Sequence, residues 1–110
     1  MNYIIMDLEW NNSYMKSTKK FINEIIEIGA VKIKEGNIVE RFDELIDPGR
    51  HIPDKITELT CITDEMVKGR DDEETVTKKF LEWAGDLPMV AHNAKFDISF
   101  IEMAMKKYNL

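Results

Sequence analysis

Tyr3-Ile4-Ile5-Met6-Asp7-Leu8-Glu9-Trp10 reads as a short strand ending on two carboxylates. Four consecutive apolar residues, Tyr3 to Met6, suit a strand covered on both faces. Residues two apart in a strand share a face, so Asp7 and Glu9 project together while Leu8 turns into the other layer. Two neighbouring anions at the end of an apolar strand repel each other and lose hydration. A divalent cation would reverse the sign of that energy. The competing reading is that the strand stops at Asp7 and water solvates both acids. A third acidic residue elsewhere in the chain has to decide.

Working outward, the 110 residues fit one domain, residues 1–110, with room for a core. A hydrophobic share of 44% and a charged share of 33% are ordinary for a globular protein. The formal net charge of -6 argues against a general polyanion-binding surface, which is usually basic. Any dealing with nucleic acid is therefore expected to be local. Cys61 has no cysteine to pair with, which fits a reducing cytoplasm. Asp7 and Glu9 interrupt the N-terminal apolar run too early for a signal peptide, and no stretch is long enough to span a membrane.

Asn11 to Lys20 is polar and basic without periodicity and reads as a loop. Its three lysines are either solvated or form a flexible arm touching phosphates near the site. Glu24 to Lys34 alternates like a strand, Glu35-Gly36-Asn37 is a turn, and Ile38 to Ile46 returns as an antiparallel partner. Short helices are expected over Pro53 to Leu59 and after Thr63, which suits an N-cap. Asp71-Asp72-Glu73-Glu74 opens a longer helix, where it complements the helix dipole and aids solubility. Val76, Phe80, Leu81 and Ala84 mark the apolar face of that helix, and Gly85 ends it. Trp83 is expected to pack its ring rather than meet substrate. Pro88 to His92 is a short strand and Asn93 to Tyr108 a last helix.

That last junction supplies the third acid. Asp97 falls at the start of the final helix, where an acid can simply complement the dipole. Sites in α/β sheets collect where neighbouring strands end and helices begin. If the strands leading to Asp7 and to His92 lie parallel and adjacent, three carboxylates converge on one edge.

These segments resemble the DEDD 3′–5′ exonuclease superfamily of RNase H-like fold. Ile5-Met6-Asp7-Leu8-Glu9 is similar to its first motif, D-x-E after a buried strand. His92-Asn93-Ala94-Lys95-Phe96-Asp97 is similar to its second, H-N-A-x-F-D. Glu24 to Val31 resembles the second strand, and Leu59-Thr60-Cys61-Ile62-Thr63 stands where members usually read L-T-G-I-T. The likeness is greatest to the proofreading domains of bacterial replicative polymerases. It implies an α/β fold, a mixed sheet flanked by helices. It implies hydrolysis of single-stranded DNA or RNA from the 3′ end with two ions, Mg²⁺ or Mn²⁺. Carried over, Asp7 would bridge both ions, Glu9 would ligate the ion that activates water, and Asp97 would hold the other. Trp10, Ile62, Asn93 and Phe96 would line the substrate pocket, with Ile62 against the terminal base.

Three departures qualify the likeness. Trp10-Asn11 follows D-x-E where smaller residues are frequent, so Trp10 either stacks on a base or packs in the core. Cys61 replaces a glycine and is expected to strain the loop if φ must be positive; a small buried thiol is the expected state. No residue matches the family's third motif, a general-base histidine and a fourth aspartate; His51 is in the wrong part of the chain. The fold is thus expected to be truncated after the fourth strand and following helix, with weak or absent activity. The bare strand edge is expected to seek a second copy or a missing C-terminal segment. The alternative is a degenerate exonuclease fold that binds nucleic acid or a protein without catalysis.

Overall fold

The computed structural model describes residues 1–91 and 94–110. Three strands, β1 (Tyr3–Met15), β2 (Lys20–Lys34) and β3 (Asn37–Leu45), are followed by helices α1 (Asp54–Thr60), α2 (Asp64–Val67) and α3 (Glu73–Ala84). A short strand β4 (Met89–Ala91) and helix α4 (Ala94–Tyr108) complete the order. The sheet runs β3-β2-β1-β4. β1 is antiparallel to β2 and parallel to β4, with Met6 opposite Ala91. The expected parallel neighbours are therefore in place.

One face of the sheet is built by alternation. Ile4, Met6 and Leu8 of β1 join Ile28 and Ala30 of β2 in a core closed by Val76 and Phe80 of α3 and by Phe100, Ile101 and Ala104 of α4. Trp83 packs on Phe42, 5.5 Å between ring centroids, and lies under the Lys32 ammonium at 4.6 Å. Its role is packing, as expected. A second cluster, Ile26, Ile52, Ile62 and Val67, seats the short helices against the sheet. Thr63 caps α2 by accepting from the Met66 N–H at 3.2 Å, and Asp72 caps α3 by accepting from Thr75 at 2.9 Å. Among the described residues no helix is long and apolar enough to cross a membrane.

Three expectations are corrected. The stretch Asn11 to Lys20 is not a loop. β1 continues to Met15 and β2 begins at Lys20, with Tyr14 opposite Phe21, so only residues 16–19 turn. Cross-strand pairing replaces apolar alternation here, and Asn11 is buried, donating to Glu24 at 2.9 Å. Glu73 is not a solvated dipole partner. It is buried, accepting the Ile25 N–H at 2.6 Å and bonds from Lys107 and Tyr108 at 2.7 Å each. The register of β1 and β2 shifts at Glu9/Trp10, so Ile26 is skipped in the ladder, and the Ile25 amide beside it goes to Glu73. Cys61 is exposed, not buried, and it ends α1 in the left-handed region at φ 65°.

Candidate active site

The site grows from the end of β1's apolar run. Leu8 is buried, so its neighbours Asp7 and Glu9 face the opposite way. Asp7 is exposed and Glu9 partly buried. Asp97 stands in the first turn of α4, 1% exposed. The strand pair β1–β4 fixes this approach, since Ala91, shortly before α4, lies beside Met6, directly before Asp7.

Electrostatics report the convergence. The Glu9 carboxyl is pushed above its usual range by burial first, then by the charge of Asp7, then by that of Asp97. Glu9 thus feels both other acids, one from its own strand and one from the far end of the chain.

Sequence reasoning missed two further members. Glu27 sits directly opposite Glu9 across the β1–β2 ladder, and Gly29, opposite Asp7, pairs in turn with Asp43 of β3. Burial raises the Glu27 carboxyl to about 7, helped by a hydrogen bond with Asp43 and by the charges of Asp43, Glu9 and Asp7. A Cβ on Gly29 would stand 4.0 Å from Asp43 Oδ1, so the missing side chain leaves the row open. The available signal was a glutamate inside the apolar run Ile25 to Val31.

The remaining expected residues divide. Trp10 stacks on Phe100 at 4.6 Å between centroids and lies 6.3 Å from Phe96, which is exposed. Trp10 thus packs against the main core, one of the two states expected of it. Ile62 is 2% exposed in the second core cluster and presents almost no surface to a ligand. Asn93 and His92 lie outside the described residues.

The donor chemistry fits a hard divalent cation, since every group is a carboxylate and their mutual repulsion is what a cation relieves. The spacing is looser. Among the described residues no three His, Cys, Asp or Glu side chains stand close enough to share one ion.

A mixed four-stranded sheet flanked by helices, with acids at the β1–β4 edge, defines an RNase H-like nuclease fold. The family model described as Exonuclease matches residues 4–110, and the chain belongs to that exonuclease family. It is similar to the PolC-type DNA polymerase III of Clostridium perfringens, 47% identical over 100 residues, covering 91% of this chain and 7% of that protein. The PolC-type polymerase III of Bacillus subtilis is 39% identical over 105 residues, covering 96% of the chain and 7% of its own length. The chain thus spans less than a tenth of these relatives.

Among solved structures, the nuclease domain of 3′hExo, a DEDDh family member bound to rAMP, superposes with a TM-score of 0.78 at 21% identity. The match covers 99% of this chain and 60% of that one. Exonuclease I of E. coli in complex with a dT13 oligonucleotide gives 0.77 at 11% identity, covering 97% and 24%. At these identities the likeness is one of fold.

Proposed function

We propose that this domain hydrolyses phosphodiester bonds at the 3′ end of a single-stranded nucleic acid, with two divalent cations, Mg²⁺ or Mn²⁺, at the acidic edge. The observation that carries this reading is the parallel pairing of β1 with β4, Met6 beside Ala91, which sets Asp7 and Glu9 at the end of the sheet where α4 and its first-turn Asp97 begin. When bound, the cations supply a water activated for attack and a charge that stabilises the leaving 3′ oxygen.

In this reading Asp7, Glu9 and Asp97 would hold the cations, Glu9 serving the one that supplies activated water and Asp97 the one that steadies the leaving oxygen. Trp10 and Phe96 form an apolar wall that orients the terminal nucleoside. Ile62 supports the α1–α2 corner from behind instead of touching the base. Residues 1–110 offer no assignable general base, a function worth about 10²–10⁴-fold in rate. A polypeptide of these residues alone is therefore a slow enzyme. A cytoplasmic setting is part of the reading, since the relatives are bacterial polymerases.

The test is digestion of a 5′-labelled single strand by the purified chain with Mn²⁺. Stepwise shortening from the 3′ end, lost in Asp7→Asn, supports the proposal. Equal shortening by parent and Asp7→Asn, or cutting that ignores the cation, contradicts it.

A further inference from the structure

The hairpin beyond Trp10 has no part in the chemistry above, yet it is unusual for this chain. The fourteen residues from Trp10 to Asn23 contain three lysines, Lys16, Lys19 and Lys20, and no acid, in a protein of net charge -6. The lysines are all exposed at the hairpin tip. Just inside the tip, Tyr14 and Phe21 face each other across the ladder, 52% and 67% exposed, with centroids 5.3 Å apart in an edge-to-face pair.

These rings line a cleft of about 550 Å³. The cleft runs from Glu9 and Trp10 at one end to Tyr14 and Phe21 at the other, with Lys55 and Leu59 of α1 opposite. It is therefore continuous with the acidic edge. An edge-to-face pair stabilises a hairpin by itself. That role explains neither the local concentration of positive charge nor the cleft joining the pair to Glu9. Exposed aromatic rings beside lysines are what a single strand recognises, bases stacking on the rings and phosphates meeting the ammonium groups.

We propose that the outer half of the β1–β2 hairpin and the facing side of α1 form a track for single-stranded nucleic acid. Tyr14 and Phe21 stack bases, and Lys16, Lys19, Lys20 and Lys55 meet phosphates. This rests on the nuclease reading only for its direction, since the track would hold the strand upstream of the bond cut at Glu9. Five residues of strand, at roughly 3.3 Å each, separate Glu9 from Tyr14. That length, roughly 17 Å, matches about five stacked nucleotides at about 3.4 Å apiece. Stacking and phosphate contact ignore the 2′ position, so DNA and RNA strands should bind alike.

The test is fluorescence anisotropy of the 110-residue chain with labelled dT₃, dT₆, dT₁₂ and U₁₂ in EDTA, where cleavage is absent. The expected result is binding that strengthens from dT₃ to dT₆ and then levels, with dT₁₂ and U₁₂ similar. Tyr14→Leu and Phe21→Leu keep apolar cover on the hairpin but lose the ring faces, and each should weaken dT₁₂ about tenfold. Replacing Lys16, Lys19 and Lys20 by Gln should make the salt dependence shallower by about 2 in log–log slope. Circular dichroism of each variant should match the parent. Unchanged affinity in the folded Leu variants, or affinity independent of length, overturns the track. Binding with these properties but without Mn²⁺-dependent cutting leaves the track standing and removes the nuclease reading. Cutting that the Leu variants do not alter, at substrate levels below saturation, removes the track alone.

Discussion

Glu9 and Glu27 stand directly opposite each other on β1 and β2, and the charge of Glu9 is one of those that push the Glu27 carboxyl up. Antiparallel strands normally avoid like charges in register. Here the Glu27 carboxyl is pushed up to about 7 by burial, by a hydrogen bond with Asp43 and by the nearby charges, which favours its neutral form and eases the conflict. The acidic edge is therefore wider than its three motif residues, and its protonation is tied to the stability of the sheet.

That tie has a definite sign. Glu27 has its folded-state carboxyl raised from 4.5 to about 7, so the native state holds a proton that the unfolded chain releases. Stability from this group is fully present below about pH 4.5 and is lost as pH rises through about 7. Because the side chain keeps contact with water, screening reduces the effect to about 1 kcal/mol. Glu27→Gln should flatten the melting temperature between pH 4.5 and 7 in a calorimetric pH series. An unchanged slope would show that Glu27 does not hold the proton.

Cys61→Gly should stabilise the fold. Cys61 adopts φ 65° at the end of α1, donating its N–H to Thr57 at 2.8 Å. A side chain there is strained, and glycine is not. The gain, reduced by glycine's greater freedom when unfolded, is about 0.5–1 kcal/mol. Urea unfolding measures it; a loss of stability contradicts the strain argument.

Glu73→Ala should be among the costliest single changes. It strips an acceptor from the buried Ile25 amide and from Tyr108, and leaves Lys107 without its partner. A buried donor left unsatisfied costs about 1–3 kcal/mol, and loss of the ionic bond adds to it. The expected total is about 2–4 kcal/mol by urea unfolding. A change under about 0.5 kcal/mol would mean that water replaces the carboxylate.

The sequence was most informative where apolar pattern and turn chemistry agree. Tyr3 to Leu8, the turn at Glu35-Gly36 and the face of α3 through Val76 and Phe80 were all legible. So was the parallel pairing of β1 with β4, which sets the end of the Asp7–Glu9 strand beside the segment leading to α4.

What escaped was held by pairing instead of pattern. Asn11 to Lys20 has no alternation because the hairpin extends past the sheet, and cross-strand contacts such as Tyr14–Phe21 do the ordering. Glu73 looked like any acid in a first helical turn. Its burial depends on a register shift in β2, forty-odd residues earlier in the chain, which no local window contains. Ile62 was expected at a ligand and instead fills the second core cluster, a difference that only packing decides.

The central claim is that Asp7, Glu9 and Asp97 act as one divalent-cation site. Isothermal titration of Mn²⁺ into the 110-residue chain and into folded Asp7→Asn and Asp97→Asn variants tests it most directly. The expected result is saturable binding by the parent, weakened at least tenfold by either substitution. No binding by the parent, or equal binding by all three proteins, would contradict it.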